Sequence, residues 1–134
     1  MGYRLRTVSS PAAPAIDDAR PVLDVPDLYD SAGESRELVE VILNAFRKGA
    51  PAQLEDLRAA VERADRASIA SATHRLRSAL AQVCGPAATA ACSALEGAAP
   101  AADPAELARL FATLDSAFGA LSLAITAELA KARG

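Results

Sequence analysis

From Leu107 to Leu129 an apolar residue returns at every third or fourth position: Leu107, Leu110, Phe111, Leu114, Phe118, Leu121, Ile125 and Leu129. An α-helix turns by about 100° per residue, so these side chains fall along one side. Such a helix is stable only when its apolar face lies against another element. The same spacing appears in Leu38, Val41, Ile42, Ala45 and Phe46, resumes at Leu54, Leu57 and Val61, and returns in Ile69, Ala72, Leu76, Ala79, Leu80 and Val83. No stretch alternates as a strand does. Hydrophobic residues make up 51% of the chain and aromatic ones only 4%, with abundant Ala and Leu, which favours helices over sheets. The sequence therefore predicts an all-α fold, an antiparallel up-down four-helix bundle with a short extra N-terminal helix.

Gly, Pro and capping residues divide the chain. Residues 1–21 contain Ser9, Ser10, Pro11, Pro14 and Pro21 with little periodicity and read as a flexible arm. Residues 22–134 form the bundle. Pro26–Ala32 is the short helix, ended by Gly33, and Ser35 caps the next. Gly49-Ala50-Pro51 predicts a kink there. Asp65 caps the helix that follows, and Gly85-Pro86 ends it and starts another. Gly97 is expected to stop that one. Asp103-Pro104-Ala105-Glu106 opens the last helix, and Lys131 and Arg133 suit its negative end.

Several function classes are disfavoured. A net charge of −3 with mixed signs gives no footprint for nucleic acid. Two cysteines, Cys84 and Cys92, read as buried thiols, and with a single histidine they offer no metal-ligand spacing. The N-terminus lacks a secretory h-region, and no apolar run reaches membrane-spanning length, so a cytoplasmic protein with no membrane contact is expected. There is no Gly-rich phosphate loop and no nucleotide fingerprint, hence no kinase domain of its own, and no cofactor is expected on this chain.

The only histidine, His74, projects away from the apolar stripe of its helix. Within about 60° of its direction lie Ala67, Ala70, Ser71, Arg77, Ser78, Ala81 and Gly85. An exposed neutral imidazole is a good nucleophile near neutral pH. Arg77, one turn on, places a planar cation beside it that suits phosphoryl oxygens. Small side chains on this strip let a second protein approach the ring.

His74-Arg75-Leu76-Arg77-Ser78-Ala79 resembles the H-x-L-K-G-S core of histidine phosphotransfer (HPt) domains, the four-helix phosphocarriers of bacterial phosphorelays. The likeness extends upstream through Leu54-Glu55-Asp56-Leu57 and downstream through Gln82-Val83-Cys84-Gly85 and Ala94-Leu95-Glu96, over roughly residues 22 to 130. It implies that His74 accepts the phosphoryl group and that Arg77 stands in for the usual lysine. Ser78 stands where glycine is commonest, and Cys84 where a glycine often follows the histidine helix. The implied partners are receiver domains of response regulators or of a hybrid histidine kinase. They would dock over Ala67, Ala70, Ser71, Ser78, Ala81, Gln82 and Gly85, with magnesium on the receiver and none on this chain, which is expected to be a monomer. The competing reading is a helical adaptor, a degenerate relative that binds a signalling partner and transfers no phosphate.

Overall fold

The computed structural model describes residues 20–131. The stretch 1–19, read above as most of an arm, and Arg133 lie outside the described residues. Five helices follow in order: α1 (Val25–Ser31), α2 (Arg36–Glu62), α3 (Arg66–Gln82), α4 (Pro86–Ala98) and α5 (Pro104–Lys131). Helices α2 to α5 each pack on the next, and α2 closes the ring by packing on α5. That is the four-helix bundle, with α1 set against the start of α2.

The α2–α5 seam shows its antiparallel register in three steps. Arg36 reaches Glu128 at 3.3 Å, the Phe46 and Phe118 rings lie 5.5 Å apart, and the Arg58 guanidinium sits over the Phe111 ring at 4.9 Å. As α2 advances, its partners on α5 recede. The core runs the length of this seam and continues into α3 and α4, with Leu28, Val39, Leu43, Leu57, Ile69, Leu76, Leu80, Leu95, Leu107, Leu114, Leu121 and Ile125 fully buried.

Local chemistry explains most helix starts. Ser35 accepts a hydrogen bond from the Leu38 amide, Asp65 from the Ser68 amide, and Asp103 from the Glu106 amide. The Ser68 hydroxyl also donates to Asp65, and these two bonds hold the Asp65 carboxyl below its ordinary pKa. Helices α2 and α3 end alike. The amides of Asp65 and Gly85 each reach back to a carbonyl five residues earlier, on Ala60 and Leu80. Each closure forces the intervening residue into the left-handed region, Ala64 at φ 53° and Cys84 at φ 58°. Glycine is the usual occupant of that conformation, which gives the physical reason a glycine suits position 84.

The structure bears on four sequence expectations. First, α2 runs unbroken through Pro51, so Gly49–Pro51 makes no loop in it, in keeping with a single helix across that stretch. Pro51 is exposed, and its helix is held on both sides by buried Phe46, Ala50, Leu54 and Leu57. Second, Gly97 lies inside α4 and does not terminate it; Ala99 is the cap. Third, only Cys92 of the two cysteines is buried, while Cys84 is half-buried at the α3 end. Fourth, α5 is, by length and composition, long and apolar enough to cross a membrane. Its large side chains nevertheless form the bundle core, and its outward face carries mainly small residues with one exposed leucine, Leu123. Ahead of α1, the Pro21 carbonyl accepts from the Ala87 amide at 3.2 Å.

One core position breaks the apolar stripe of α5. Glu128, the next inward residue after Ile125, is buried. Arg36 compensates it with an ion pair and a second donation, at 2.9 Å, to the Glu128 backbone carbonyl. Arg36 also donates to the Tyr29 hydroxyl and to Glu40, so a single guanidinium ties α1, α2 and α5 together. Those contacts, the Tyr29 hydrogen bond first, raise its pKa.

Relief of the left-handed strain at Ala64 is measurable. Ala64→Gly is expected to raise the unfolding free energy by about 0.5–1 kcal/mol in urea titrations, and Ala64→Val to lower it. An unchanged midpoint in both variants would mean the α2 terminus carries no strain.

Candidate functional site

The rotation of α3 about its axis is set by what it buries. Ile69, Ala72, Thr73, Leu76 and Leu80 face the core, and Ile69, Leu76 and Leu80 are wholly enclosed. His74 therefore points outward and is exposed, as are Ala67, Ala70, Ser71, Ser78, Ala81 and Gln82. The open strip drawn from the sequence thus exists for six of the seven flanking positions. Gly85 is the exception and is buried. The chain has left α3 by then, and a Cβ at Gly85 would meet Leu121 Cδ2 at 2.9 Å and the Val22 carbonyl at 3.5 Å. Gly85 is a packing glycine against α5.

Arg77 is held in place beside the ring. Its Nη2 lies 3.4 Å from His74 Nδ1, a long contact, and its Nε donates to Glu96 Oε1 of α4 at 2.8 Å. The meeting of Arg77 and Glu96 follows from helix geometry. Side chains lean toward the N-terminus of their own helix, so on antiparallel neighbours they lean toward each other. Glu96 belongs to the stretch that carried the family likeness, but its role needed the α3–α4 pairing to become visible. The pair is part-exposed, at 39% for Arg77 and 29% for Glu96.

The two serines do not touch the ring. Ser78 donates to the His74 carbonyl at 3.3 Å, and Ser71 accepts from Arg75 at 3.0 Å. Both act as short, locally satisfied side chains. Arg75 extends away toward Asp56 of α2 at 4.0 Å. Beneath the strip, the buried Thr73 hydroxyl donates to the Ile69 carbonyl and the Cys92 thiol donates to the Thr73 carbonyl. Burial, with the Glu96 charge second, pushes the Cys92 thiol up to about 11, which leaves it unreactive at neutral pH.

A groove of about 730 Å³ opens between α2 and the end of α3, lined by Val41, Ile42, Phe46, Gln53, Ala81 and Gln82 among others. His74 is not part of its wall. Among the described residues, no three His, Cys, Asp or Glu side chains gather as metal ligands do. The chemical content of the site is therefore an accessible imidazole, an anchored cation, and room around both.

A family model described as the Hpt domain matches residues 41–131, more than half of the 134-residue chain. The chain belongs to the Hpt domain family. Its match covers most of α2 and all of α3 and α4, and runs to the end of α5, so the whole His74 strip lies inside it. No curated protein and no solved structure matches the chain significantly. Hpt domains are phosphotransfer modules of phosphorelays; they carry phosphoryl groups, are not kinases, and interact with receiver domains.

The packing role of Gly85 in this Hpt domain gives a direct test. Gly85→Ala is expected to cost about 1–3 kcal/mol of stability, because the Leu121 side chain it strikes is fully enclosed and has nowhere to move. An equally stable variant would show that Leu121 repacks freely.

Proposed function

We propose that this Hpt domain is a phosphohistidine carrier: His74 takes a phosphoryl group from the aspartate of one receiver domain and gives it to another. The observation that carries this reading is the exposed imidazole in mid-α3 with the Arg77 guanidinium 3.4 Å from its Nδ1 and small side chains on either side. Phosphoryl transfer needs positioning and charge compensation more than covalent machinery. The receiver supplies the phosphoryl group and its magnesium, and this chain supplies the nucleophile.

In this reading the receiver settles on the strip of Ala67, Ala70, Ser71, Ser78, Ala81 and Gln82. The Nε2 lone pair attacks phosphorus in line as the bond to the aspartyl oxygen breaks, and the carboxylate leaves with that electron pair. Arg77 offsets charge on the phosphoryl oxygens. The reverse step, onto a second aspartate, runs through the same geometry. The receivers place the domain with them in the cytoplasm, where a hybrid kinase or response regulator provides them.

Incubation with a phosphorylated receiver domain tests this. Acid-labile label is expected on His74 and absent from His74→Gln. A folded His74→Gln protein that still takes label would put the acceptor at another residue and overturn the reading of His74; a wild-type protein that binds receivers and takes none would leave only the adaptor reading. Ser78→Leu, and separately Ala70→Leu, are expected to slow transfer at least about tenfold by holding the receiver off the ring, with thermal stability unchanged because both sites are exposed. Full rates in those variants would mean the receiver docks elsewhere. Arg77→Ala is expected to slow transfer with the helix intact; an unchanged rate would remove Arg77 from the site.

A further inference from the structure

Arg77 is committed twice, to Glu96 and to the ring, and the second commitment has a consequence for His74. A guanidinium has only donors. Where Nη2 approaches Nδ1, the ring nitrogen must accept, so a neutral ring in this arrangement carries its proton on Nε2. Nε2 is also the nitrogen that must present a lone pair to phosphorus. The resting geometry therefore favours the tautomer in which the reactive nitrogen is protonated. The Glu96 carboxylate keeps Arg77 there through its 2.8 Å hydrogen bond to Nε.

We propose that the Arg77–Glu96 ion pair is a latch: Glu96 holds Arg77 on the ring and competes with the phosphoryl group for it, so that a phosphoryl group must draw Arg77 off Glu96 to be stabilised on His74. This rests on the phosphocarrier reading and adds a positioning residue, Glu96, that acts through Arg77 and touches neither ring nor phosphate. A phosphoryl group carries more negative charge than one carboxylate and offers three oxygens to the same fork. As Arg77 moves over, the ring proton passes through solvent from Nε2 to Nδ1. The freed Nε2 lone pair then forms the N–P bond while the bond from phosphorus to the leaving group breaks, and the leaving group takes that electron pair.

Glu96 and Arg77 are both part-exposed, so the latch opens without disturbing the core. Its strength is that of a charge-assisted hydrogen bond at a partly hydrated surface. Neutralising Glu96 should shift the competition without abolishing the site.

The test uses the intact protein and phosphoramidate, a small phosphodonor that releases ammonia as its P–N bond breaks. No receiver is needed. With Glu96→Gln, phosphohistidine at position 74 is expected to survive roughly three- to tenfold longer than in wild type, the ratio set by exchanging a charged for a neutral competitor. On an Arg77→Ala background, Glu96→Gln is expected to change nothing. Nitrogen-15 NMR of the ring in the unphosphorylated protein reads the other half of the claim. The neutral wild-type ring is expected to carry its proton on Nε2, with the Nδ1–H form gaining in Arg77→Ala.

A shorter lifetime in Glu96→Gln would overturn the latch, since Glu96 would then be aiding the phosphorylated ring and not competing for Arg77. So would an equal lifetime, an effect of Glu96 that persists without Arg77, or a wild-type ring protonated mainly on Nδ1. Failure of wild-type His74 to take any phosphoryl group from phosphoramidate is a different result. It would count against the phosphocarrier reading itself.

Discussion

The enclosure of Ile69, Leu76 and Leu80 fixes the rotation of α3, and the position of every functional group follows from that rotation. Each fully buried aliphatic side chain contributes about 1.5–3 kcal/mol relative to exposure. Turning α3 by half a turn to bury the imidazole would expose all three at once. The outward placement of His74 is therefore a product of the core and needs no interaction made by the histidine itself. The same rotation brings Arg77 to the α4 side, within reach of Glu96, and leaves Ser78, Ala70 and Ala81 in the open. A bundle built to keep one face of a helix dry is, by that fact, built to keep the opposite face available.

What was legible in the sequence is what short-range chemistry decides. The caps Ser35, Asp65 and Asp103 act where they stand, because a cap bonds to an amide three residues away. The apolar periods identified three of the four bundle helices, Gly85-Pro86 opened the fourth, and the offset of His74 from its own stripe foretold its exposure. What the sequence concealed depends on neighbours distant in the chain. Gly97 has the form of a stop signal, yet Leu95 and Ala99 are both buried and the helix carries on between them. Gly85 lies at the right angle for the open strip only if α3 extends that far, and it does not. Glu128 occupies a core position that periodicity would assign to leucine; Lys131 pairs with it locally, but its partner across the bundle is Arg36, 92 residues away. The residue whose role was hidden at the site, Glu96, is of this kind: its meaning is a contact across two helices.

The arrangement also suits a passive carrier. A module that receives a phosphoryl group from one protein and hands it to another gains little from a pocket. It needs a nucleophile that stands clear of its own fold, a cation that is present but not rigidly spent, and surroundings small enough to admit a partner. The strip on α3 has these features, and the deeper groove between α2 and α3 lies apart from the ring. Stability and chemistry are thus kept on opposite sides of one helix. Core substitutions are expected to unfold the bundle, and strip substitutions to alter transfer while the fold persists.

The central claim is that Nε2 of His74 is the atom that carries the phosphoryl group. Phosphorus-31 NMR of the phosphorylated protein, with nitrogen-15 in the ring, tests it most directly by showing which nitrogen is bonded to phosphorus. A single phosphohistidine signal coupled to His74 Nε2 is the predicted result. Phosphorus bonded to Nδ1, or found only on a carboxylate or hydroxyl, would contradict the account.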